Sequence, residues 1–259
     1  MTPRILVIDL ETSPDISYHW ERFDTNIGID QTLIRGGVMC WAAKWHGGKK
    51  IEFRSDWGDG HEAQVLRAHE LLSEADIVVH FNGRSFDERH LNREFDLAKL
   101  GPPAPFQRID LMRVGRGRFR YSSGKLDNYL LEKGLTRKVQ TSGFDLWRKC
   151  LNYLDEYGEA EVSRARRDMQ RYNMQDVDST DELYVDWRDH GWINNHPNVG
   201  LYADGETDRC PSCGSTELKP QGFALTNTGK FQRFRCADCG SWSRSNKRID
   251  GVRIQGVAA

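Results

Sequence analysis

The sequence predicts an α/β domain, a mixed sheet flanked by helices, followed by a small metal-held module. Three observations lead there. Arg4-Ile5-Leu6-Val7-Ile8-Asp9-Leu10-Glu11-Thr12 is an apolar, β-branched run that closes on two carboxylates, the pattern of a buried strand. Strand-like and helix-like stretches then alternate at the spacing of a crossover connection, which implies parallel pairing within the sheet. Near the C-terminus Cys210-Pro211-Ser212-Cys213 and Cys236-Ala237-Asp238-Cys239 repeat one knuckle, with 22 residues (214–235) between the pairs. That spacing belongs to a thiolate metal site and not to a disulfide framework.

The elements follow in order. Ser13 to Gly37 shows neither the helical nor the strand period, carries Trp20 and Phe23, and is read as an excursion. Val38 to Trp45 and Lys50 to Phe53, joined by Gly47-Gly48, are expected to form two strands around a tight turn. With the first strand they make an antiparallel meander. His61 to Leu72 has helical spacing, Ile77 to Phe81 is a strand, and Asn82-Gly83-Arg84-Ser85 is a turn before a helix from Phe86 to about Leu100. Ile109 to Met112 reads as a last short strand. Arg113 to Tyr121 alternates basic and aromatic residues, which suits either an extended phosphate-tracking arm with Arg116, Arg118 and Arg120, or a solvated loop. Helices are expected over 126–135, 144–154 and about 160–187.

At 259 residues and a net charge of −1, the chain can bury one core and carry a satellite, and any contact with nucleic acid must come from local patches. Domains are expected at 1–198 and 199–259. The N-terminal apolar run is broken by Asp9 and lacks a cleavage pattern, and nothing approaches the length of a membrane span. A soluble, cytoplasmic protein is the expectation, and Cys40 and Cys150 are expected to be buried thiols.

Alternate strand residues share a face, so Asp9 and Glu11 point the same way and call for a cation or water between them. Tyr172 and Asp176 lie one turn apart on a helix, and Asp87 follows a strand-to-helix turn. Each feature alone has an ordinary reading as a solvated strand end, a helix face or a first-turn carboxylate. Together, a strand-end Asp-x-Glu, an Asn82-x-x-x-Phe86-Asp87 turn and a late Tyr172-x-x-x-Asp176 resemble the three exonuclease motifs of the DEDD superfamily. That superfamily has a ribonuclease H-like fold and includes proofreading domains of DNA polymerases. The subtype resembled is the tyrosine one, because the position where the histidine subtype carries its His is Arg171. Small stand-alone, often phage-encoded, exonucleases look like the nearest kin.

The resemblance implies a two-metal 3′-to-5′ exonuclease. Asp9, Glu11, Asp87 and Asp176 would be Mg²⁺ or Mn²⁺ ligands, Tyr172 would orient the attacking water, and Asn82 and Phe86 would lie against nucleic acid. Asp110 is a supporting candidate. DNA is expected ahead of RNA, with a replication or repair protein as a further partner, in the host cytoplasm if the protein is viral. The alternatives are an RNA-directed or endonucleolytic enzyme, and a non-catalytic nucleic-acid-binding adaptor.

Cys210, Cys213, Cys236 and Cys239 are expected to hold one Zn²⁺ in a zinc ribbon, the metal substituting for a core that so short a segment cannot build. Lys230, Arg233, Arg235, Trp242, Arg244, Lys247 and Arg248 interleave charge with rings, which suits nucleic acid, a protein partner being the alternative.

Overall fold

The computed structural model describes residues 2–21, 23, 26–137, 139–193, 196–205 and 207–251. In chain order the elements are Ile5–Thr12 (β1), Ile16–Ser17 (β2), Thr32–Ile34 (β3), Val38–Trp45 (β4), Ile51–Ser55 (β5), His61–Glu74 (α1), Ile77–His80 (β6), Asp87–Leu97 (α2), Gln107–Asp110 (β7), Leu111–Arg118 (α3), Leu126–Lys133 (α4), Phe144–Leu151 (α5), Glu159–Asp189 (α6), Leu218–Leu225 (β8), Gly229–Cys236 (β9) and Trp242–Gly251 (β10). They fall into two compact units. One holds Arg4–Arg113 and Arg120–Glu182, and the other contains Val114–Phe119 and the chain from Leu183 onward.

The first unit is built on a five-stranded sheet of order β5-β4-β1-β6-β7. β1 pairs antiparallel with β4 and β4 with β5, whereas β6 is parallel to both β1 and β7. The expected meander and mixed sheet are therefore present. The crossover helix α1 delivers β6 to β1 and not to β5, so β1 is central. Its period-two alternation assigns the two faces. Leu6, Ile8 and Leu10 join Trp41, Leu71, Leu91 and Phe95 in one core under α1 and α2. The other face carries Asp9 and Glu11, opposite Ala42 and Cys40 of β4. On that face Met39, Cys40, Leu146, Cys150, Ala165 and Met169 form a second core, with Trp147 and Tyr172 packed against it. Cys40 and Cys150 are buried thiols.

Three details differ from the sequence expectation. The excursion after Thr12 contains a small hairpin, β2 with β3, in which Leu33, with Tyr18 and Trp20 beside it, is largely exposed; with no fully buried face it leaves no periodic signature. The last strand ends at Asp110, two residues early. Leu111 to Arg118 is a helix and not an extended arm or loop, because the Asp110 carboxylate accepts the amides of Met112 (3.1 Å) and Arg113 (3.4 Å) and caps the first turn. Gly115 and Gly117 disguise that helix in the sequence.

In the second unit β8, β9 and β10 form an antiparallel sheet of order β10-β9-β8. Cys210, Cys236 and Cys239 are its buried cluster, with Cys213 and Leu218 against them. At the end of α6 Phe119 packs on Trp187 (5.3 Å between ring centroids) and Trp192 (5.1 Å), and the Ser241 hydroxyl donates to the Arg188 carbonyl at 3.1 Å. Among the described residues no helix is long and apolar enough to cross a membrane.

Candidate active site and metal centres

Among the described residues, two groups bring three or more metal-ligating side chains within 4.8 Å of one another: Asp9 with Glu11 and Asp176, and the four C-terminal cysteines. The first is assembled from β1 and α6. Along α6 the buried positions Met169, Asn173, Asp176, Val177 and Thr180 follow the helical period. The stripe turns from apolar to polar at Asn173 and Asp176. Asn173 is fully buried and its amide donates to both the backbone carbonyl (3.2 Å) and the carboxylate (2.7 Å) of Asp9. Asp176 is 2 % exposed. Three carboxylates this close, one of them buried, oppose ionisation unless positive charge joins them. The Cys40 thiol registers that field: burial first, then the charges of Glu11, Cys150, Asp9 and Asp56, raise its pKa well above the ordinary value. A set of oxygen donors suits a hard divalent cation.

Asp87 is not in that triple. The parallel ladder between β1 and β6 runs only from Ile5 to Val7. Beyond it the Asp87 carboxylate, at the start of α2, takes the Leu10 amide at 3.1 Å. It therefore sits on the backbone between Asp9 and Glu11. Burial pushes its pKa up to about 6, against the pull of His80 and of the Leu10 amide. The turn that delivers it is tightly specified. Asn82 adopts φ +69° and donates its amide to Asp110 at 3.0 Å. A Cβ on Gly83 would lie 2.3 Å from the His80 ring, so only glycine fits there. Asp110 thus holds the turn and the first turn of α3. Tyr172 lies one turn before Asp176, and its ring meets Trp147 of α5 edge-on at 6.1 Å.

At the second group the Cys210 and Cys239 sulfurs are 3.6 Å apart, and those of Cys213 and Cys236 3.7 Å. A disulfide needs about 2.05 Å. The edge of a tetrahedron with metal–sulfur bonds of about 2.3 Å is about 3.8 Å, so the thiols fit a tetrahedral ion. Gly214 (φ +77°) and Gly240 (φ +70°) turn the chain back at each knuckle, their amides donating to the Cys210 (2.9 Å) and Cys236 (3.1 Å) carbonyls.

Comparison with known proteins adds the family. A family described as the RNase_H superfamily matches residues 34–188, more than half of the sequence. The chain belongs to the RNase_H superfamily. The match carries Asp87, Tyr172 and Asp176 and begins after Asp9 and Glu11. Among solved structures, a family B DNA polymerase from the hyperthermophilic archaeon Pyrobaculum calidifontis is similar in fold, with a TM-score of 0.53 at 16% identity, over 73% of this chain and 25% of the polymerase. The chain thus spans about a quarter of that enzyme's length. No curated protein matches the sequence. Family and fold support a nuclease.

The remaining candidates are dispersed. Phe86 precedes α2, partly exposed, its ring 4.6 Å from that of His90. Arg116 and Arg118 are exposed on α3, and Arg120 is exposed just after it. The rings between and beyond them are engaged, Phe119 with the two tryptophans and Tyr121 with Tyr129 at 5.1 Å. Among the cations of β9 and β10, Lys230 is partly buried and the others are exposed. Asn173 and Trp147 were not legible in the sequence as site residues. A single Asn beside Tyr172 and a Trp on an amphipathic helix carry no chemical signature until the fold brings them to Asp9 and to the tyrosine ring.

Proposed function

We propose that the protein is a metal-dependent 3′-to-5′ exonuclease acting on nucleic acid, DNA in preference to RNA, with residues 1–198 catalytic and a zinc ribbon in 199–259 that helps hold the substrate. The observation that carries this reading is the convergence of Asp9, Glu11 and Asp176 within 4.8 Å. Asp9, Glu11, Asp87 and Asp176 would hold two Mg²⁺ or Mn²⁺ ions. When bound, such ions lower the pKa of an attacking water and stabilise the charge that develops on a leaving 3′-oxygen.

The chain's own residues do the rest. Asn173 fixes the Asp9 carboxylate that would serve as a ligand. Asp87 is held by the Leu10 amide, and a cation beside it would offset the burial that raises its pKa. Tyr172 would orient the attacking water, and Trp147 packs edge-on against its ring. The four thiols would hold one Zn²⁺, a reading their tetrahedral spacing supports. A replication or repair protein is the partner this activity would serve.

The test uses the full, zinc-loaded chain with Mn²⁺ and single-stranded DNA, duplex DNA or RNA, each labelled at the 5′ end, beside a circular single strand. A ladder shortening from the 3′ end, an intact circle and no cleavage by Asp9→Asn are the expected results. Cutting of the circle would make the enzyme endonucleolytic. Absence of cleavage on every substrate would leave a binding adaptor.

A further inference from the structure

Strand register divides the basic residues of the ribbon between two faces of the sheet. Arg235 lies opposite Trp242, Arg233 opposite Arg244, and Lys219 opposite Arg235. Partners across a ladder share a face, as do residues two apart on a strand. One face therefore carries Phe231, Arg233, Arg235, Trp242 and Arg244. The other carries Leu218, Phe234 and Cys236, and Leu218 packs on the cysteine cluster. Around Cys236 the second face is the interior of the ribbon. The first faces solvent, and Trp242 on it is half exposed.

The outward face is a ladder of rings and guanidiniums. Arg233 lies over the Trp242 ring at 4.7 Å to its centroid and Arg235 at 5.8 Å, and Arg244 lies over Phe231 at 4.0 Å. Large rings without a core over them are costly unless a partner covers them. Here each is flanked by fixed positive charge, so the complement is an anion that also carries flat apolar rings. A single-stranded nucleic acid has both on every residue, its bases free to stack and its phosphates beside them. A duplex offers the phosphates but buries its base faces. Lys230 belongs to the opposite face, over Phe223 at 4.0 Å.

We propose that the Phe231–Arg233–Arg235–Trp242–Arg244 face is a sequence-blind site for single-stranded nucleic acid. This deepens the reading of the ribbon as a substrate-holding module and rests on it. The test is a salt titration of binding by full-length, zinc-loaded protein to labelled oligo-dT and oligo-U of about 20 nucleotides and to a blunt duplex of that length, enough to span more than one such site. Asp9→Asn is present throughout, so binding is read whether or not the chain cleaves. Zinc content reports the fold of each variant.

Arg233→Gln/Arg235→Gln/Arg244→Gln should weaken oligo-dT binding at least about tenfold and reduce the salt slope by about 2, some 0.7 for each lost contact with a single strand. Trp242→Leu should cost about tenfold with little change in slope, as loss of one stacking platform does. Lys230→Gln should leave affinity within about twofold, having lost no contact on this face. Oligo-dT and oligo-U should bind alike, because neither rings nor guanidiniums need the 2′-hydroxyl. Unchanged binding by the triple variant with zinc retained would overturn the site. So would preference for the duplex, or a Lys230→Gln loss equal to that of the triple. Any of these can occur with the cleavage ladder intact, which separates failure here from failure of the nuclease reading.

Discussion

The two units of this chain solve the same problem by different means. In the first, Trp41 is fully buried beside Leu6, Ile8, Leu71, Leu91 and Phe95. Around the β8–β10 sheet of the second, the buried cluster is three cysteines with Cys213 and Leu218 at its edge, while Trp242, Phe223 and Leu225 are exposed. Trp41 is structural material, whereas Trp242 of the ribbon sheet is surface. A long segment can bury enough apolar area to fold, and a short one must borrow its stability from a metal. Carboxylates follow the opposite logic to thiols. The cysteines are grouped to make the fold, whereas Asp9, Glu11 and Asp176 are grouped in spite of it, at a free-energy cost that a cation would offset.

Removing zinc should separate the units most sharply. The binding free energy of a structural zinc is on the order of 10 kcal/mol, so chelation or Cys236→Ser should unfold β8 to β10 while β1, β4 and β6 keep their hydrogen-exchange protection. Equal loss of protection in both sheets would show that the first unit depends on the metal as well. The converse is Trp41→Ala. Truncating a buried tryptophan costs about 3–5 kcal/mol and also leaves the Gln64 carbonyl without the indole donor it accepts at 3.0 Å. Denaturant unfolding should show the first unit destabilised by that amount, with zinc retained.

A smaller effect probes the carboxylate group itself. Asn173→Ala removes the amide that holds Asp9. Loss of a supporting hydrogen bond to a metal-binding carboxylate typically costs about tenfold or more in metal affinity. The expected result is Mn²⁺ affinity lowered by about that factor, zinc content unchanged, and turnover reduced. Wild-type Mn²⁺ affinity in that variant would mean that Asp9 is held adequately by its strand.

What the sequence disclosed follows from the same contrast. β1, β4 and β6 were legible because strands covered on both faces must be nearly continuous apolar runs, and the cysteine knuckles because a thiolate site fixes its own spacing. The hairpin β2–β3 was not, since it is only partly buried. Helix α3 was hidden by two glycines and exists because Asp110, the residue just before it, caps it. Asp9, Glu11 and Asp176 could be picked out as acids, but their closeness depends on α6 lying across the Asp9 face of β1. Asn173 was invisible because its role consists of one contact across 164 positions of sequence.

β1 and α6 bring Asp9, Glu11 and Asp176 within 4.8 Å of one another, the arrangement we propose as a divalent-ion site. A Mn²⁺ binding isotherm on the zinc-loaded full chain, for wild type and Asp9→Asn, tests it most directly. Removing a ligand from a shared site should weaken Mn²⁺ by at least about tenfold without altering bound zinc. Superimposable isotherms would contradict it.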